Sequence, residues 1–295
     1  MKAALGRLLL RTVACLVLAM AAGASAAELA IDAPAALAGA ADRLRSIGLP
    51  QLEADLRRAG LRLPPRIEVL LLPDDDPRAR AIPPWIVGLA PGAQDVVILP
   101  QRVLPYPYDS VESVFRHEVA HLALSAAAGG RPLPRWFHEG VAMSVDSGWD
   151  LSGRIRLLFE MTKGPATADL ARLFAADAQS EAALAYGLSA ALVADVERRH
   201  GAESVGRIAA RVSTGEPFAR AFELETGELP DAAAARAWSV YRQWTAWLPA
   251  FTSGTAVWAA ILALALVAYA ARRRRRARRR RQWDEEDFLG PNSRA

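Results

Sequence analysis

Cysteine is almost missing from this chain of 295 residues: there is 1, Cys15, and it lies in the N-terminal segment. Residues 1–26 carry Lys2, Arg7 and Arg11, then an apolar run from Thr12 to Ala22, then the small residues Ala24, Ser25 and Ala26. That is the anatomy of a secretory signal peptide with cleavage after Ala26. The apolar run is short for a spanning helix, an uncleaved anchor being the alternative. Thr12-Val13-Ala14 ahead of the cysteine make a poor lipoprotein box. Once cleaved, the chain has no cysteine at all, which excludes disulfides and leaves an exported domain to hold together by packing and by any ion it binds. Lysine is scarce too, Lys2 and Lys163 alone, against an alanine- and arginine-heavy background that suggests a bacterial chain. Histidine is nearly as rare, with 4, while apolar residues make up 52%, ample for a core.

Two of those histidines fall in one stretch, Val114-Phe115-Arg116-His117-Glu118-Val119-Ala120-His121-Leu122. Histidines four apart on a helix share a face, one turn apart, so both imidazoles can reach a single ion. Zinc takes neutral imidazole at about 2.0–2.1 Å in a tetrahedron, leaving two further positions. Glu118 would lie beside the ion, placed to take a proton from the attacking water. A second helical stretch follows, Pro134-Arg135-Trp136-Phe137-His138-Glu139-Gly140-Val141-Ala142, with Pro134 opening its first turn. Glu139 supplies a hard oxygen that would complete a His-His-Glu set with one open position, the arrangement of a catalytic zinc. His138 is the rival. Neighbouring helix residues point about 100° apart, so only one of His138 and Glu139 can face the ion.

H-E-x-x-H followed by a W-x-x-E-G-x-A helix resembles the gluzincin metallopeptidases, most closely the bacterial peptidase-MA-like metallohydrolases. The weaker likeness extends over residues 64–240. It implies His117, His121 and Glu139 as zinc ligands and Glu118 as general base and later proton donor. Ala185-Tyr186-Gly187-Leu188-Ser189 resembles the family's Tyr-x-x-Ser segment, which makes Tyr186 the candidate donor to the oxyanion; the alternative is a tyrosine packed on a neighbouring helix. Asp146 is a candidate to orient a ligand histidine. His200, after Arg198-Arg199 and before Gly201, suits a helix C-terminus and a structural role.

Elsewhere the pattern speaks mostly of architecture. Residues 28–64 read as two short helices, 34–47 and 50–59, stopped by Gly48, Gly60 and Pro64-Pro65. Ile67–Leu72, Trp85–Ala90 and Asp95–Leu99 are short β-rich runs bounded by turn residues, the last two joined as a hairpin. In gluzincins an edge strand pairs with the substrate backbone; by resemblance Trp85–Ala90 takes that place, an ordinary core hairpin being the alternative. The aminopeptidase branch of that family carries a glutamate near this strand to capture a free amine; Ile86–Gln94 has no acidic residue, so the resemblance does not support exopeptidase specificity. Asp74-Asp75-Asp76 between Pro73 and Pro77 read as a solvated turn rather than a calcium site. The helix bearing the two histidines should run over 110–128, ending at Gly129-Gly130. Helices are expected over 134–145, 153–162, 166–177, 179–200, 202–213, 216–224 and 231–248.

Residues 250–271 are uncharged and mostly Ala, Leu, Val and Ile, long enough at about 1.5 Å per residue to cross a hydrocarbon core of about 30 Å. Trp244 and Trp247 precede the run, and nine arginines, Arg272–Arg276 and Arg278–Arg281, follow it. Their position marks a positive-inside stop-transfer signal with contacts to anionic lipid, not a nucleic-acid tract. They also outweigh the net charge of +4, so the remainder of the chain is acidic.

The expected fold class is α+β and zincin-like: a small mixed-sheet lobe over 27–133 and a helical lobe over 134–249, with the metal site between them. One transmembrane helix over 250–271 and a cytoplasmic tail over 272–295 would follow. The expected function is a Zn2+-dependent metallopeptidase, an endopeptidase acting on envelope peptides or proteins. It would be single-pass in the bacterial inner membrane with its catalytic domain periplasmic. A zincin-fold binding or scaffold protein without turnover is the alternative.

Overall fold

The computed structural model describes residues 27–103, 110–146, 149–163, 167–175, 179–245, 258 and 261–275. The chain is mixed α+β, mostly helical, with one four-stranded sheet. Strand β2, Arg66–Leu71, shows the two-residue period clearly: Ile67, Val69 and Leu71 are buried while Arg66 and Glu68 face solvent. It lies between β1, Glu28–Asp32, and β4, Asp95–Ile98, and pairs parallel with both. Strand β3, Gly88–Leu89, closes the order β1-β2-β4-β3 as an antiparallel edge, confirming the hairpin.

Two strands differ from expectation. β1 precedes the first expected helix, in residues for which no element was expected. Its apolar part, Leu29-Ala30-Ile31, is too short to signal a strand by itself, and its register is supplied by β2, beginning where the Glu28 N–H donates to the Pro65 carbonyl at 2.9 Å. The strand expected over Trp85–Ala90 shrinks to β3. Pro83 and Pro84 remove two ladder donors. A turn from the Ile86 N–H to the Pro83 carbonyl, 3.0 Å, leaves Trp85 78% exposed.

Arg102 holds the segment before β3 in place. One of its terminal nitrogens donates to the carbonyls of Ile82, Pro83 and Ile86 at 3.0–3.3 Å, and the other to that of Ala79 at 2.9 Å. Its Nε pairs with Asp74 at 2.7 Å. Asp76 caps the short helix α3, Pro77–Arg80, by accepting from the Arg78 N–H. The acidic triplet therefore organises a turn, as read from sequence.

Helices α1, Ala38–Arg45, and α2, Leu49–Arg58, follow β1 and bury Ala40, Ala41, Leu44, Leu52 and Leu56. The helix carrying the two histidines is α4, Val111–Ala127, which packs on β3, β4, α1 and α2. Ser110 starts it, its hydroxyl accepting from the Ser113 N–H at 3.1 Å. After Gly129 and Gly130, both at positive φ, come α5, Arg135–Val145, α6, Leu151–Lys163, and α7, Leu170–Ala175. The remaining helices are α8, Gln179–His200; α9, Ser204–Ser213; α10, Phe218–Thr226; and α11, Pro230–Thr245. These bounds lie close to the expected ones because each helix carries its own start and stop residues, Pro217 and Gly227 around α10 for instance.

Residues Met1–Val240 and Tyr241–Ala295 form two separate units. In the second, residues 261–275 are helical. The expected signal peptide, most of the tail over 272–295 and much of the expected span over 250–271 lie outside the described residues. Among the described residues no helix is long and apolar enough to cross a membrane.

Candidate metal centre

Helix α4 is buried nearly all round: Val114, Phe115, Val119, Ala120 and Leu122 are 0–2% exposed. His117 and Glu118 share that interior, at 1% and 4%. Polar groups so placed are costly unless partnered. For His117 both ring nitrogens are engaged. Nδ1 lies 2.9 Å from Asp146 Oδ2 at the end of α5, and Nε2 lies 3.2 Å from Glu139 Oε2. His121 Nε2 is 3.7 Å from the same Glu139 oxygen. One ligand atom from each of His117, His121 and Glu139 lies within 4.8 Å of the others. The histidine rings meet edge to face, centroids 4.7 Å apart.

Of the two rivals on α5, it is the carboxylate of Glu139 that lies with both imidazoles. Glu139 turns toward the histidine pair, while His138 stands alongside, its ring 5.5 Å from that of His121. Gly140 is a close-approach residue against α8. A Cβ there would lie 2.5 Å from the Ser189 carbonyl oxygen and 2.6 Å from a Val193 methyl. The glycine lets α5 lie down on α8.

Charge in the site follows from burial and neighbours. Burial acts on His117 to lower its pKa, but hydrogen bonds to Asp146 and then Glu139 outweigh it and raise it to about 10. Burial first, then the charge of His117, drives His121 down to about 3. Burial opposes ionisation of Glu139, yet the bond from His117 and the charge of His121 hold it down at about 2. The direction of these shifts favours a His117 that keeps its proton between Asp146 and Glu139, and an ion must displace that proton, so metal affinity should rise with pH. His121 Nδ1 is buried with no hydrogen-bond partner among the described residues, an unusual state for a core histidine.

The donor set, two imidazole nitrogens and a carboxylate oxygen, suits a borderline divalent metal. Asp146 completes it: by accepting from Nδ1–H of His117 it fixes the tautomer that leaves Nε2 as the donor atom. Asp146→Asn is therefore expected to weaken binding of a divalent metal, with zinc as the probe, by about 10–100-fold, read by competition against a fluorescent chelator. Unchanged affinity would remove Asp146 from this role.

Glu118 lies outside the three converging atoms. Burial, opposed by the charge of His117, raises its carboxyl to about 7. Above it runs β3. A Cβ at Gly88 would come within 2.7 Å of both Glu118 Oε1 and a Val114 methyl, so only glycine lets the edge strand lie this close. Sequence reasoning did not single out Gly88, although a glycine within a β-rich run is the recognised sign of close approach.

Tyr186, on α8, is half-buried with its ring 5.5 Å from Phe174, edge to face. Burial first, then the charge of Glu139, raises its phenol to about 12, and Glu118 adds to the rise. It thus stands in the electrostatic field of the site. Arg135 was overlooked in the sequence: its Nε is 3.6 Å from Glu139 Oε1, one helical turn away, and its guanidinium lies 4.8 Å over the Phe174 ring. The i,i+4 spacing to Glu139 was the available signal. His200 ends α8 as expected, its carbonyl accepting from Arg207 at 2.9 Å.

No family model, no curated protein and no solved structure matches this chain.

Proposed function

We propose that this chain is a zinc-dependent peptide hydrolase of the gluzincin type, acting on peptides or proteins outside the cytoplasm. The observation that carries the reading is the convergence of His117 Nε2, His121 Nε2 and Glu139 Oε2 beneath an edge strand, with the separate carboxyl of Glu118 alongside. Three donors from two helices leave the open side that a catalytic rather than a structural site requires.

A divalent zinc held there supplies a Lewis acid for the scissile carbonyl and an electrostatic field that eases deprotonation of the attacking water. The chain's own groups do the rest. Asp146 keeps Nε2 of His117 pointed at the site. Glu118, drawn toward ionisation by a nearby positive charge, takes the water proton and returns it to the leaving nitrogen. Tyr186 donates its hydroxyl hydrogen to the carbonyl oxygen as charge accumulates there. The outer edge of β3, which pairs with no strand among the described residues, pairs with an extended substrate, which favours cleavage within a chain.

Membrane attachment is part of the same proposal. The uncharged run over 250–271 and the arginines Arg272–Arg281 support a single anchor whose basic end contacts anionic lipid on the cytoplasmic side. The signal-like segment 1–26 supports export of the site.

The deciding experiment is an unbiased peptide-cleavage profile of the full chain in detergent. Internal cleavage that a chelator abolishes and stoichiometric zinc restores is the expected result. Absence of cleavage from a zinc-loaded preparation would contradict the proposed activity.

A further inference from the structure

Helix α6, Leu151–Lys163, carries apolar side chains on two opposite faces. Its inner face seats Leu157, 2% exposed, against α8: a Cβ at Gly187 would lie 3.1 Å from a Leu157 methyl. Its outer face bears Leu151, Ile155 and Phe159, which are 72%, 45% and 45% exposed. Residues four apart advance by about 40° around a helix, so these three form one continuous stripe, and Leu157 stands nearly opposite its middle. No other helix within Met1–Val240 shows three exposed large apolar side chains among the described residues. Single exposed apolar residues are ordinary, but a stripe of three on one helix marks a surface that something covers.

The charges of α6 say what covers it. At about 100° per residue, Arg154 falls on one flank of the stripe and Arg156 on the other. The helix as a whole carries three bases, Arg154, Arg156 and Lys163, against one acid, Glu160. An apolar ridge between cations matches an anionic bilayer surface, where headgroups meet the bases and the acyl boundary takes the ridge. A second copy of the chain fits less well, because three side chains fall far short of the roughly 800 Å² per partner of a stable interface. A bilayer needs no such area here. The last helix ends at Thr245, and the uncharged run that the reading above makes an anchor begins at residue 250. So short a tether raises the effective concentration of α6 at the lipid surface to the order of millimolar, and a small contact then suffices.

We infer that the outer face of α6 docks on the anionic phospholipid surface, with Leu151, Ile155 and Phe159 at the acyl boundary and Arg154 at the headgroups. The inference rests on the anchored reading above and adds to it a second membrane contact, made by the body that carries the metal centre. Leu151 is five residues after Asp146, the partner of His117, a stretch of chain no longer than about 18 Å. Docking of α6 therefore keeps the metal centre near the lipid and favours substrates that reach the membrane surface.

The test places a nitrobenzoxadiazole label at Ile155→Cys, and separately at Phe159→Cys, in full-length protein carrying Cys15→Ser. Both positions are exposed, so labelling leaves the packing of α6 on α8 intact. The protein is reconstituted into vesicles of equal parts phosphatidylcholine and phosphatidylglycerol, with and without lipid spin-labelled near the headgroup. Flotation with the vesicles reads the anchor; quenching by spin-labelled lipid and shelter from aqueous iodide read α6. Both labels should be quenched by the lipid and sheltered from iodide. Arg154→Glu, or vesicles of phosphatidylcholine alone, should lower the ratio of docked to undocked label by about fivefold. Labels open to iodide in a protein that floats would overturn the proposal and leave the anchor standing. Shelter that spin-labelled lipid does not quench, and that grows with protein density, would give the stripe to a second copy and overturn it too. Quenching indifferent to both Arg154→Glu and the loss of phosphatidylglycerol would overturn docking on an anionic surface. A protein that does not float loses the anchor, and this proposal with it.

Discussion

Replacing Glu118 by glutamine is expected to leave zinc content unchanged and to lower kcat by about 10²–10⁴-fold, the range typical of a lost general base. The argument has three parts. Glu118 is not among the three atoms that converge on one point, so metal retention does not depend on it. Glu118 is 4% exposed, and its raised pKa comes chiefly from burial, so a neutral isostere of the same shape should not unfold the helix. Glutamine cannot accept and return a proton, which removes the one step assigned to this side chain. KM should move little, because substrate pairing is assigned to β3. Activity within a few-fold of wild type would rule out Glu118 as the base; loss of zinc would make it a ligand instead.

Gly140→Ala is the second large effect expected, this time on the fold and the site together. The added Cβ would lie 2.5 Å from the Ser189 carbonyl oxygen and 2.9 Å from its carbonyl carbon. These are backbone atoms within a buried helix, and Ser189 is fully buried with its hydroxyl bonded to the Ala185 carbonyl at 2.7 Å. No side chain can swing aside, so α5 or α8 must move. Overpacking of this kind costs about 1–3 kcal/mol, and the upper end applies where backbone meets a new carbon. For a domain of this size that is a fall in Tm of roughly 2–4 °C per kcal/mol. Glu139 is the residue before Gly140 and Tyr186 lies one turn before Ser189, so any movement displaces the candidate third ligand or the candidate donor. Zinc affinity should fall with stability. Gly39→Ala is the control: it lies in α1, nothing is within 4 Å of its Cβ position, and it should stabilise by about 0.5–1 kcal/mol. Equal behaviour of the two variants would contradict the close-approach account.

Much of this was legible in the sequence because local signals coincided with tertiary ones. The helix under His117 and His121 declared itself through Ser110 at its start and Gly129-Gly130 at its end, and four-residue spacing alone placed both imidazoles on one face. The choice of Glu139 over His138 rested on the family resemblance, because angle along one helix says that only one of them points inward, not which one. Asp146 could be proposed because the end of the same helix brings it back toward the ligands. What stayed hidden depends on contacts distant in the chain. β1 is a strand because β2 offers it a register. Trp85 leaves the sheet because two prolines and the Arg102 clasp bend the backbone before β3 begins. Gly88 and Arg135 each had a sequence signal, a glycine within a β-rich run and a four-residue spacing to Glu139, but what each meets depends on the helix beneath β3 and on Phe174 from α7.

Zinc content of the purified full-length protein is the most direct measurement of the central claim. Elemental analysis should find about one zinc per chain in the wild type, retained in Tyr186→Phe and lost in His121→Ala and in Glu139→Ala. A wild type without metal after exposure to stoichiometric zinc, or a zinc that survives loss of Glu139, would contradict a centre built from these three side chains.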